Sequence, residues 1–146
     1  MKIIVDSNIV FSAMLNTESV ISDIILNSQH QFEFYTCEYL REEIGEHKGK
    51  IIERSHYDDQ TYRAVEFLIF SKLNFFSEAI IPFEFWQKAA DYVRDVDMND
   101  IAFVALSLFL DIKIWTGDKR LRDGLMKKGF TNLVSTQELI RLRTQD

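Results

Sequence analysis

Residues 95–119 constrain this chain more than any other stretch: Asp-Val-Asp-Met-Asn-Asp-Ile-Ala-Phe-Val-Ala-Leu-Ser-Leu-Phe-Leu-Asp-Ile-Lys-Ile-Trp-Thr-Gly-Asp-Lys. Asp97 and Asp100 open it, an apolar run broken only by Ser107 follows, and Asp111 marks a turn. A β-like run at 112–116 then leads to Asp118. The pattern predicts a helix over 98–110, a turn, and a strand. A helix apolar nearly all round must be buried on several sides. If the sheet is parallel, a helix that precedes a strand starts at the edge where the strands end. The acids at the helix start and the acid past the strand then share that edge, which is where open α/β sheets place ligands.

The remaining segments read as a frame for this unit. Residues 2–5 form a near-continuous apolar strand ending at Asp6, as a central parallel strand would. After Ser7 and Asn8 comes an apolar patch at 9–15, then a helix over 18–28, capped by Asn16 or Thr17. Residues 32–37 alternate and are rich in aromatic and β-branched types, which predicts a second strand. Helices are expected over 38–54, with Leu40, Ile44, His47 and Ile51 on one face, and over 58–75; together they suggest a helical arm. His47 on that face reads as a packed histidine. A short strand at 78–81 stopped by Pro82, a helix at 84–94, a basic helix at 119–128 and a strand at 131–134 follow. Ser135 and Glu138 have capping-box spacing for a last helix at 136–143. Strands alternating with helices imply a three-layer α/β/α architecture around a mostly parallel sheet.

At 146 residues the chain has the size of one domain, assigned to 1–146, with enough apolar residues (47%) to bury a core. No apolar stretch reaches the roughly 20 residues of a membrane span. The start, Met-Lys-Ile-Ile-Val-Asp, reads as a strand and not as a signal peptide. One cysteine, Cys37, cannot form an internal disulfide, which fits a reducing cytoplasm.

The net charge of −6 argues against non-specific nucleic-acid binding, unless several acids converge on a cation. The sequence places acids where they would converge. Asp6 follows strand one, Glu42 and Glu43 lie in the helix after strand two, Asp97 and Asp100 precede the buried helix, and Asp118 follows the next strand. Two such charges about 4 Å apart repel by roughly 4 kcal/mol at an effective dielectric of 20. Protonation or a bound cation must relieve that, and all-oxygen carboxylate sites suit Mg2+ or Mn2+.

The chain resembles the PIN-domain nucleases, a family that includes prokaryotic toxin–antitoxin ribonucleases. The matching pieces occur in the family's order: Ile-Val-Asp-Ser-Asn at 4–8, Glu-Tyr-Leu-Arg-Glu-Glu-Ile at 38–44, Asp-Met-Asn-Asp-Ile-Ala-Phe-Val-Ala-Leu at 97–106, and Trp-Thr-Gly-Asp-Lys at 115–119. The resemblance implies divalent-metal-dependent hydrolysis of RNA. It assigns Asp6, Glu43, Asp97, Asp100 and Asp118 to the site, with Asp6, Asp100 and Asp118 as metal ligands for Mg2+ or Mn2+. Glu43 and Asp97 would complete the site or orient water. Glu42 stays a rival to Glu43, since only one of two adjacent helical residues can face the crevice. Ser7, Asn8, Asn99 and Thr116 are candidate donors that hold the carboxylates. The basic run Lys119, Arg120, Arg122, Lys127 and Lys128 is a candidate grip for the RNA backbone. RNA as substrate, an antitoxin protein as partner, and a homodimer complete the expectation.

Two other classes compete. One is a PIN-like module that binds RNA or protein without cutting. The other is a phosphotransfer domain, but an aspartate-nucleophile phosphatase wants an acid two residues after the first Asp, and position 8 is Asn.

Overall fold

In the computed structural model, which describes residues 1–145, a five-stranded parallel sheet carries helices on both faces. The elements are β1 (Lys2–Val5), α1 (Ser7–Leu15), α2 (Val20–Asn27), β2 (Glu33–Cys37), α3 (Tyr39–Glu46), α4 (Lys48–Ser55), α5 (Asp59–Phe70), β3 (Leu73–Phe76), α6 (Phe83–Val93), α7 (Ile101–Leu110), β4 (Lys113–Trp115), α8 (Lys119–Lys127), β5 (Leu133–Val134) and α9 (Thr136–Arg143). Short 3-10 turns at Glu78–Ile80 and Met98–Asp100 precede α6 and α7. The strand order is β3-β2-β1-β4-β5, every pair parallel. The expected three-layer α/β/α fold is therefore what forms.

β1 is central, and its Ile3, Ile4 and Val5 are fully buried, as its unbroken apolar run requires. α7 lies on β1, β2 and β4, with α6 packed outside it. Ala102 to Ser107 are all buried, so the helix is enclosed, as its composition demanded. The buried Ser107 hydroxyl donates to the Ile112 carbonyl at 2.6 Å across the turn at Asp111, whose φ of 55° is left-handed. On the other side α1 touches α2, α3, α4 and α5, and α2 also touches α9. Ser135 and Glu138 form both halves of the capping box that starts α9.

The segment 38–75 differs from expectation in two ways. Its helices do not stand free: Ile44, Ile51, Tyr62 and Ile69 are buried, and the Tyr57 hydroxyl donates to the Met14 carbonyl on α1 at 2.8 Å. The first helix also breaks at His47, giving α3 and α4. The second difference lies at its end. Residues 73–76, the first three expected as the end of the helix 58–75, form edge strand β3, paired from Leu73↔Phe34 to Cys37↔Phe76. The strand expected at 78–81 is instead a 3-10 turn. Leu73 falls on the helical stripe of α5 and also on the inward face of β3. Local periodicity cannot separate the two readings; pairing with β2 does.

Candidate active site

Three of the candidate acids start helices. Asp6 caps α1, its Oδ1 accepting from the Ile9 N–H at 3.0 Å. Asp97 caps the turn before α7 through the Asn99 N–H at 2.9 Å. Asp118 caps α8 through the Leu121 N–H at 3.2 Å. Capping was the plain alternative to metal binding for Asp97, yet one capping oxygen leaves the other carboxylate oxygen uncommitted. The register brings these helix starts together. Val5 pairs with Trp115, so Asp6 emerges beside Thr116, two residues before Asp118. The Thr116 hydroxyl accepts from the Asp118 N–H at 3.1 Å, and the buried Thr36 hydroxyl ties β2 to the Val5 carbonyl at 3.0 Å. Positive ends of α1, α7 and α8 therefore meet at this edge and offset part of the carboxylates' repulsion.

The charges of the other four acids all reach Asp100. Burial pushes the Asp100 carboxyl up to about 8, and the charges of Asp6, Asp97, Glu43 and Asp118 add to that rise. Burial also lifts Glu43 to about 7; the Ser7 hydroxyl offsets part of this, while Asp6, Glu46 and Asp97 add to it. Asp6, only 1% exposed, is raised to about 6 by burial and by Asp118, against the Thr116 hydroxyl and the Ile9 N–H. Among the described residues, two buried side-chain oxygens have no hydrogen-bond partner, Asp6 Oδ2 and Glu43 Oε1. A buried carboxylate oxygen left unpaired costs about 1–3 kcal/mol or more. Both belong to the acidic cluster, and a cation is a ligand whose chemistry would satisfy them. Among the described residues, however, no three acid, imidazole or thiol side chains close into a finished metal cage. Glu43, Asp97 and Asp100 share a cleft, and Asp6, Asp97 and Asp118 turn their capping oxygens to backbone N–H groups.

Glu42 and Glu43 go different ways. Glu43 lines a cleft of about 250 Å3 with Ser7, Asn8, Asp97, Asn99 and Asp100. Glu42 lines a neighbouring groove of about 510 Å3 with Tyr39, Trp86 and Met98. Glu43 is thus the helix acid of the crevice. Asp118 opens on an adjoining hollow that shares Asn8 and Phe11 with the cleft.

The cleft also holds residues that the sequence reading did not nominate: Phe11, His47, Lys50 and Arg54. His47 is exposed and does not lie in the apolar stripe where its spacing put it; the break between α3 and α4 turns it out. The 3- and 4-residue spacing of 47, 50 and 54 was the signal that could have found this face. In the basic run near Asp118, Lys128 is tied back to Asp95 at 3.2 Å and to the Asp91 carbonyl at 3.1 Å.

A family model described as PIN domain matches residues 4–140. No curated protein sequence matches the chain. Among solved structures, PAE2754 from Pyrobaculum aerophilum superposes with a TM-score of 0.70 at 14% identity, covering 99% of this chain and 91% of the other. VapBC2 from Rickettsia felis, bound to a DNA fragment from their promoter, gives 0.68 at 10% identity, covering 92% of this chain and 97% of the other.

Proposed function

The chain belongs to the PIN-domain family of nucleases, and from that premise we propose that it is a divalent-metal-dependent endoribonuclease acting as one domain in the cytoplasm. The observation that carries the reading is the pair of buried, partnerless oxygens, Asp6 Oδ2 and Glu43 Oε1, in the group of acids whose charges reach Asp100. Asp6, Asp100 and Asp118 are the side chains to hold Mg2+ or Mn2+, whose contribution when bound is to polarise a phosphoryl oxygen and acidify water. A cation would lower the raised carboxyls of Asp100, Glu43 and Asp6 together, favouring their charged forms.

The protein's own groups supply the rest. The Glu43 carboxylate, on the cleft floor, takes the proton of the attacking water, a role suited to a carboxyl held near neutrality. Asp97 orients that water from the turn before α7. Helices α1 and α8 fix Asp6 and Asp118 through their caps, so the two carboxylates have little freedom to drift. An antitoxin protein as partner and a homodimer belong to the same reading. The VapBC2 complex, a neighbour in fold, supports the first, and exposed apolar side chains such as Phe67, Ile80 and Phe83 supply surface for either.

The test is cleavage of a labelled RNA by the purified protein in Mn2+, with an EDTA control and with Asp6→Asn and Asp100→Asn. The wild type should cut only with the metal, and both variants should fall to the EDTA level. Equal cleavage by the variants would mean a contaminating nuclease or a misassigned site. Binding without cutting by the wild type would favour the non-cleaving module.

A further inference from the structure

The cleft has an acidic floor and a cationic wall. Glu43, Asp97 and Asp100 form the first; His47, Lys50 and Arg54 form the second. Lys50 and Arg54 stand about 6 Å apart along the α4 axis, four residues at 1.5 Å each. In a protein of net charge −6, cations that share a cleft with three carboxylates would be expected to pair with them. They do not: among the described residues, neither Lys50 nor Arg54 enters an ion pair. Lys48, on the same helix, shows the contrast, since it is held by Asp59 at 2.9 Å.

Phe11 props this wall. Its ring meets the His47 ring edge-on at 5.8 Å, and the Arg54 guanidinium lies over it at 5.9 Å from the centroid. Phe11 sits on α1, the helix that Asp6 caps, so the wall is fixed relative to the carboxylates through one rigid element. Such a contact orients a guanidinium without neutralising it. What fits between a row of unpaired cations and a carboxylate floor is a chain of anions, one of them delivered to the floor and its neighbours held by the wall.

We propose that Lys50 and Arg54, positioned by Phe11, grip the RNA phosphates that flank the scissile one, and that α4, not the basic helix α8, is the backbone clamp. This rests on the nuclease reading above for the identity of the floor. Lys50 and Arg54 are binding residues; Phe11 is a positioning residue that acts through Arg54 and His47.

The experiment uses the full chain and a fluorescein-labelled single-stranded RNA, read by anisotropy in Ca2+ across a salt series, beside cleavage kinetics in Mn2+. Lys50→Ala and Arg54→Ala should each weaken binding about ten-fold. Each should also flatten the slope of log affinity against log salt by about 0.7, the counterion effect of one phosphate contact on a single strand. In cleavage they should raise KM and leave kcat near wild type. Phe11→Leu keeps bulk on α1 and should weaken binding with the salt slope unchanged; Arg54→Lys should restore the slope. If the α4 variants keep wild-type affinity and slope while Lys119→Ala and Arg122→Ala lose them, the clamp is on α8 and the proposal is overturned. Wild-type protein that binds no RNA overturns it too. A wild type that binds with the expected slopes yet never cuts would leave the clamp standing and sink the nuclease reading. Cutting with a KM indifferent to residues 50 and 54 would do the reverse.

Discussion

Replacing Asp6 by Asn isolates the charge of the most deeply buried acid. Asn retains an Oδ1 that can accept from the Ile9 N–H, so the cap of α1 survives. What disappears is the ionisation of a carboxyl raised from 3.8 to about 6, chiefly by burial. The sign follows from proton linkage. Between those two values the folded state binds more protons than the unfolded chain, so wild-type stability falls as pH rises through the window. At 1.36 kcal/mol per pKa the whole effect is about 3 kcal/mol, roughly half of it between pH 5 and pH 8. Asp6→Asn lacks this term. Its amide N–H groups can carry a desolvation cost, but that cost does not titrate. Urea denaturation of both proteins in EDTA, followed by far-UV circular dichroism at pH 5, 6, 7 and 8, measures the difference. Stability of the variant minus that of the wild type should grow by about 1–2 kcal/mol from pH 5 to pH 8. A difference that stays flat, or shrinks as pH rises, would refute the claim that this carboxylate is buried without a counter-charge.

The same linkage governs the cation. Mn2+ should raise the melting temperature of the wild type more at pH 8 than at pH 5, because binding must displace protons from Asp100, Glu43 and Asp6. The gain is about 2.7 kcal/mol at a hundred times the Kd, and differential scanning fluorimetry with an EDTA control reads it; an equal rise at both pH values would contradict displacement. Glu43→Gln should cut RNA cleavage sharply while Glu42→Gln leaves it near wild type, since only Glu43 faces the cleft; single-turnover rates decide, and the opposite ranking would reassign the helix acid. Trp115→Ala should destabilise by about 3–5 kcal/mol, because the fully buried ring packs on Phe34 at 5.9 Å and its N–H reaches the Thr136 hydroxyl at 2.9 Å. A loss under 1 kcal/mol in urea would mean that β4 is not the packed strand described.

Much of the frame was legible because burial writes itself into composition. Residues 3–5 of β1 are apolar without interruption because they are enclosed on both faces, and α7 is apolar nearly all round for the same reason. The turn at Asp111 and the capping box at Ser135 depend on neighbours only a few residues away, so they could be read directly. β3 could not. It is an edge strand with one partner, and its Leu73 continues the helical spacing of α5, so only its pairing with β2, about 40 residues away, decides its form. The acid positions were readable from strand ends and helix starts, and the parallel sheet turned that into proximity. The choice between Glu42 and Glu43 was not readable, because it depends on how α3 rolls against α1. The cationic wall was not readable because His47, spaced as part of the apolar stripe with Leu40, Ile44 and Ile51, is exposed at the break between α3 and α4 while the other three are buried.

Diffraction from crystals soaked in Mn2+, recorded where manganese scatters anomalously, tests the central claim most directly. The expected result is an anomalous peak bounded by the carboxylates of Asp6, Asp100 and Asp118, with Asp6 Oδ2 among its neighbours. A peak elsewhere, or none in the crevice at a concentration that supports cleavage, would contradict the view that these acids meet to hold a cation.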